Sequence, residues 1–281
     1  MSRFDEAIEE SIDKAVLRGS FRAETLAGDI AELVRERQGG RLAEVSLAAR
    51  YPRLRRAPIS GAASQEVSTL LGAASATPKR VRQVVGVEAQ GITACPCGQA
   101  MATEGAHERL AHEGFDDDEI ERVLACVPVV THNQRGLGTL WVGLPDDPGR
   151  SAVEPEALLA IVESSMSSEV YELLKRPDEA HIVEKAHRRP RFVEDCVREM
   201  VRMAVERLGH LGASAFLGTG RRTSKRSTST TSSPTATGCS ATSRASCTGR
   251  ARRPPGQRSR SGSRATSGRA ARRLGAPSYI R

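Results

Sequence analysis

The chain has 281 residues, 38% of them apolar and only 3% aromatic, enough to bury one large core or two small ones. Its formal charge of +8 suggests a nucleic-acid binder until the charges are placed: all 34 Asp/Glu lie at or before Glu206, and 16 of the 42 Lys/Arg lie beyond it. The positive balance is thus a property of the C-terminal stretch, and the rest is acidic. No run of 18 apolar residues is present, and MSRFDEAIEE lacks a basic segment followed by an apolar one. Neither a membrane span nor a signal peptide is expected, and a cytoplasmic location is. Of the six cysteines, Cys95 and Cys97 are separated by a single proline, a spacing suited to thiolate or metal chemistry rather than to a mutual disulfide.

Phe4, Ile8, Ile12, Ala15 and Val16 recur at helical spacing, with Ser2 as N-cap and Gly19 as stop; Leu26, Ile30, Leu33 and Val34 repeat the pattern before Gly39-Gly40. Ala43, Val45, Leu47, Ala49 and Tyr51 then alternate with polar or small residues, which predicts a half-buried strand ending at Pro52. A second strand is expected over residues 81–89, leading to the cysteines. Leu110, Ala111, Phe115, Ile120, Val123 and Leu124 predict a helix interrupted near Gly114, and residues 137–144 a strand. Helical spacing returns over residues 154–166 and 191–208, the latter helix opening after Pro190. Without regular strand-helix-strand alternation, the order predicts an α+β fold with an antiparallel sheet.

After Gly212 large apolar residues almost vanish in favour of Arg, Ser, Thr, Ala, Gly and Pro. The expected organisation is therefore a folded domain over 1–212 and a disordered tail over 213–281. The tail lacks the aromatic interleaving that base stacking requires, so nucleic acid is not the expected partner. Its composition is instead what GC-rich codons yield out of frame. Joining the third base of each codon to the first two of the next, residues 221–236 accommodate A-D-V-E-E-V-H-E-H-N-V-V-A-D-R.

Three segments carry chemistry. GITACPCGQ, residues 91–99, places Cys95 and Cys97 on a tight turn after a strand, where two thiols either ligate one metal or simply pack. THNQRG, residues 131–136, sets His132 among polar residues just before a strand, as for an exposed functional imidazole. The third, ESSMSSEVYELLKRPDEAHIVE, holds carboxylates at Glu163, Glu169, Glu172, Glu179 and Glu184 that would also suit a solvated helix face. Within it Lys175 and Arg176 form a candidate polyphosphate anchor beside Pro177-Asp178-Glu179.

Together with KAHRRPRFVEDCVREM, these segments resemble the archaeal-type GTP cyclohydrolase MptA family and its bacterial relative, the type IB GTP cyclohydrolase. The resemblance spans nearly all of residues 1–208, and the 36 residues between Cys95 and His132 are similar to the MptA branch. It implies a tunnelling fold, in which antiparallel strands and helix pairs of several subunits close a barrel, and hence a homo-oligomer. The implied reaction opens the guanine imidazole ring of GTP at C8 and releases formate. In the MptA branch the product is 7,8-dihydroneopterin 2′,3′-cyclic phosphate with loss of diphosphate; in the type IB branch it is the triphosphate. Ferrous iron is the implied metal, with zinc or manganese as alternatives.

By carry-over, Cys95 is the first metal ligand and His132 the second ligand or the acid/base group, with Glu163 and Glu179 completing the site and Cys97 tuning it. MSRF also resembles an internal family segment, so the start is expected at an internal methionine. Family members end in a glutamate and histidines, E-x-x-H-x-H-N, which the alternative frame of the tail contains and the written frame lacks. A frameshift near residues 213–221 is therefore expected, along with low activity of the chain as written. Two rivals follow from the same residues: a nitrile-reducing relative with a covalent cysteine, against which THNQRG and LLKRPDE argue, and a structural metal- or RNA-binding protein.

Overall fold

The computed structural model describes residues 3–17, 22–143, 153–212, 215–223 and 239–240. Two helices open it, α1 (Arg3–Leu17) and α2 (Ala23–Gln38), the second stopped by Gly39 in the left-handed conformation at φ 59°. The expected cap Ser2 and stop Gly19 of α1 lie outside the described residues. Three 14-residue strands follow, β1 (Ala43–Arg56), β2 (Ala63–Ala76) and β3 (Val81–Ala94). Next come α3 (Pro96–His112), α4 (Asp117–Cys126) and β4 (Asn133–Gly143). The remainder is α5 (Pro155–Ser164), β5 (Ser168–Glu169), α6 (Arg176–Arg188), α7 (Val193–Leu208), β6 (Phe216–Thr223) and β7 (Cys239–Ser240).

The strands form one antiparallel sheet in the order β1-β2-β3-β4-β6-β7, with β5 beside β3. Val85, Val87 and Ala89 of β3 lie opposite Val142, Leu140 and Gly138 of β4, so one pleat face is apolar. Leu158, Leu159, Ile161 and Val162 of α5 and Cys196, Met200, Met203 and Ala204 of α7 bury that face, while α2 packs across β1 to β3. Gly91 and Gly138 let Met166 reach the strands; a Cβ at either would collide with its side chain. The α+β class with an antiparallel sheet is the one expected.

Several elements differ from expectation: β3 runs on to Ala94, β4 starts earlier at Asn133, and α3 from Pro96 and α6 were not expected. β1 runs through Pro52, which an edge strand tolerates, and among the described residues no further strand lies beyond β1. Its core-facing positions change from Val45, Leu47 and Ala49 to Tyr51, Arg53 and Arg55, so the hydrophobic alternation ends where the strand does not. β2 has few β-branched or aromatic residues and becomes a strand through its two neighbours. Finally, Phe216–Thr223 pair with β4, so the sheet extends past the tail boundary expected at 213; the rest of the expected tail, apart from 239–240, lies outside the described residues. Arg221 of β6 is 8% exposed, bonds Thr93 Oγ1 at 3.1 Å, and has no acidic partner among the described residues. Its Nε is unsatisfied, and burial pushes its pKa down.

Candidate active site

The last pair of the β3–β4 ladder is Ala94 with Asn133, and one further hydrogen bond, from Cys95 N to His132 O at 3.1 Å, carries the pairing into the turn. Cys95 is the N-cap of α3, with its Sγ accepting from Gly98 N at 3.4 Å and Pro96 in the first turn. A sulfur so placed sits where a helix start offers amide donors and positive potential. Gly98 packs directly on the segment that leads into β4: a Cβ there would collide with Thr131 Oγ1 and come within 3.5 Å of His132 Cδ2. Cys95 is half-buried, and Cys97 and His132 are exposed. The structure thus brings Cys95 and His132 together on adjoining backbone.

Several contacts fix this strand end. Ser167 N donates to Ile92 O at 3.0 Å, and Ala94 N donates to Ser167 Oγ at 3.2 Å. Arg191 N donates to Ala94 O at 3.0 Å, and its guanidinium donates to Ser164 O and Ser165 O. The turn after α5 and the start of α7 therefore clamp the strand that delivers Cys95.

Glu163 sits elsewhere in the network. β2 leaves β3 beyond the Thr69–Glu88 pair, and β5 takes the vacated side of β3 at Gly91 and Ile92. In that region Arg53 and Arg55 of β1 both meet the Glu163 carboxylate, Arg55 at 2.9 Å, and Arg55 also meets Glu66 at 3.2 Å. The Arg55 guanidinium stacks 4.2 Å over the Tyr171 ring. Burial pushes the pKa of Glu66 up despite the arginines. Both charges of Glu163 and its partners are desolvated together, which is tolerable only because they are paired.

Lys175, Arg176 and Glu179 are exposed around the start of α6, whereas Asp178 between them is fully buried. The Asp178 carboxylate accepts from Ile59 N at 2.9 Å, Ser60 N at 2.8 Å, Ser60 Oγ at 2.6 Å and Lys175 N at 2.9 Å. Burial alone would raise its pKa, but the Ser60, Lys175 and Ile59 donors outweigh it and hold the carboxyl well below the usual range. Asp178 therefore pins the β1–β2 turn to α6 and presents the Lys175-Arg176 pair beside it. In the sequence Asp178 stands only as a neighbour of Lys175-Arg176, although Asp directly after Lys-Arg-Pro is a helix-start signal.

Among the described residues no group of three His, Cys, Asp or Glu is close enough to hold a metal ion. Cys95 and His132 supply two donors, Glu163 is committed to two arginines, and Glu179 is exposed. The described residues of one chain therefore do not complete the implied metal site. An open groove of about 680 Å³ runs along α3, lined by Pro96, Gln99, Thr103, Glu104, His107 and Glu108 among others. With two carboxylates and no Lys or Arg in its lining, it is not suited to a polyphosphate.

A one-faced antiparallel sheet whose central strands deliver a Cys-Pro-Cys turn and a histidine to the same end defines an α+β protein consistent with the tunnelling-fold class. A family model described as type I GTP cyclohydrolase folE2 matches residues 1–212, and the chain belongs to that family. It is 40% identical over 217 residues to GTP cyclohydrolase MptA of Methanococcus aeolicus, a match covering 75% of this chain and 69% of the relative. To the MptA proteins of Methanothermobacter thermautotrophicus and Methanocaldococcus jannaschii it is 40% and 38% identical, again over 75% of this chain and covering 67% and 68% of theirs.

Proposed function

We propose that the chain is a GTP cyclohydrolase of pterin biosynthesis that converts GTP to 7,8-dihydroneopterin 2′,3′-cyclic phosphate with release of formate and diphosphate. The observation that carries this reading is the family match over residues 1–212 together with the Cys95–His132 backbone pair inside it. The MptA names of the similar proteins favour the cyclic phosphate over the triphosphate product. Ring opening needs water added at C8 and a proton delivered to the departing ring nitrogen. His132, exposed at the strand end, is the group for that proton transfer, and Cys95 lies beside it. Lys175 and Arg176, held out from the buried Asp178, are the cations for the phosphates.

A divalent metal, ferrous iron before zinc or manganese, belongs to this reading as a property of the family, with the remaining ligands supplied from outside the described residues. A homo-oligomer and a cytoplasmic location belong to it in the same way; among the described residues no helix is long and apolar enough to cross a membrane. Quantifying formate, diphosphate and the pterin product from GTP tests the whole proposal. Formate without diphosphate would assign the triphosphate product, and no formate would remove the activity.

A further inference from the structure

The segment that carries His132 is held from a third side by two residues with no role in the chemistry proposed above. His187, near the end of α6, is 2% exposed, and each of its ring nitrogens faces a backbone carbonyl: Nδ1 faces Val183 O at 2.7 Å, and Nε2 faces Thr131 O at 3.0 Å. The Val183 contact is internal to α6. The Thr131 contact crosses to the residue preceding His132, and the ring makes it as a donor when the proton is on Nε2. Gln99, one turn into α3, donates its Nε2 to Val129 O at 2.8 Å and to His187 O at 2.5 Å.

Residues 129–132 have no strand ladder of their own, since β4 starts at Asn133. Their carbonyls are instead met in turn: Val129 by Gln99, Thr131 by the His187 ring, which donates there when Nε2 carries a proton, and His132 by the Cys95 amide. Three elements, the start of α3, the start of β4 and the end of α6, meet there through side chains that are not charged acid–base pairs. Val129 and Thr131 are half-buried, so their carbonyls are only partly open to water and each hydrogen bond favours one position of the segment by about 1 kcal/mol.

We propose that His187 and Gln99 are positioning residues that lock the His132 segment against the Cys95 turn. The idea rests on the reading of Cys95 and His132 as the site, and it acts through backbone, with neither residue required to touch substrate. Its direct reporter is the Cys95 amide, which is protected only while His132 O stays in place.

The test compares His187→Leu, His187→Gln, His187→Asn and Gln99→Leu in the full chain by NMR-detected amide exchange and by formate release from GTP. A Gln side chain can place its amide nitrogen near the Nε2 position and restore the Thr131 contact; Asn reaches only the Nδ1 position and restores the Val183 contact. The expected result is a rise of about 10-fold or more in Cys95 amide exchange for His187→Leu, His187→Asn and Gln99→Leu, with Val85 and Val142 unaffected and recovery in His187→Gln. In parallel, kcat falls about 10- to 100-fold at nearly constant KM in the same three variants. Unchanged Cys95 exchange, exchange that rises equally across the sheet, or Asn rescuing as well as Gln would overturn the lock. A local rise in exchange with kcat unaltered would overturn its role in positioning. If the wild-type chain releases no formate, the reading of the activity fails instead, and the exchange pattern alone decides the lock.

Discussion

Asp178 shows at the level of one residue how the chain ties its chemistry-bearing segments to the scaffold. Four donors converge on a carboxylate with no exposed surface, so its charged form is favoured in the folded state. Its folded pKa lies below the unfolded value, so the stabilisation is present above the ordinary Asp pKa of about 4 and is lost as the pH falls through the folded value. Glu199 acts in the same direction: the Arg202 hydrogen bond, with Arg191 and Arg189 nearby, lowers its pKa to about 2 against the effect of burial. Asp178→Asn should therefore lower the melting temperature at pH 7, and its deficit relative to wild type should shrink on acidification below about pH 4. Thermal melts from pH 7 to pH 3 measure this; a deficit independent of pH would show that the charge of Asp178 contributes nothing.

At the same scale, the CPC and THNQRG strings were legible because polar and thiol residues at strand ends are conspicuous against hydrophobic periodicity. Asp178 and His187 were not, because what distinguishes them is burial, and a polar residue in a polar block gives no local sign of it. Glu163 was expected to be a metal ligand, but its partners Arg53 and Arg55 lie 110 and 108 residues away in the chain. Spacing along the sequence cannot reveal such pairing.

The element that decides the fate of Glu163 is β1. Its apolar alternation predicts a strand only to Pro52, yet the strand continues because Arg53 and Arg55 find Glu66 across the ladder and Glu163 on α5. Removing the charge with Glu163→Gln leaves two half-buried guanidiniums with Glu66 as their remaining acidic partner and should lower stability by about 1–2 kcal/mol. Denaturant unfolding gives that number, and metal titration supplies the contrast. Unchanged metal affinity in Glu163→Gln is the outcome this pairing predicts, whereas lost affinity with little change in stability would return Glu163 to the metal site.

α3 tells a similar story. The cysteine turn was legible, but the helix that begins at once after it was not, because α3 has no buried residues and hence no hydrophobic stripe. Its docking depends on Gly98, where a Cβ would strike Thr131. Gly98→Val should therefore separate the α3 turn from the His132 segment and speed exchange of the Cys95 amide, while helix content by circular dichroism stays close to wild type. Wild-type exchange at Cys95 would show that this close approach is not needed.

For the molecule as a whole, the α+β class could be read from element order, whereas β2 and β6 are strands by virtue of their neighbours. β6 also holds Arg221, buried with an unsatisfied Nε and no acidic partner among the described residues. The alternative frame places Ala at this position, which suits a buried site on the core face of a strand. We therefore expect a version restored to that frame after about residue 213 to melt at higher temperature and to turn over GTP faster than the chain as written. Equal melting temperatures and equal rates would remove the frameshift reading.

Whether this chain is a GTP cyclohydrolase working through the Cys95–His132 end of the sheet is decided by formate release from GTP. The assay compares the purified chain with Cys95→Ala, anaerobically with ferrous iron supplied. One formate per GTP consumed is expected from the wild-type chain, even at a slow rate, with a loss of about 100-fold or more in Cys95→Ala. No formate from the wild-type chain would remove the activity, and an undiminished rate in Cys95→Ala would move it away from the Cys95–His132 end.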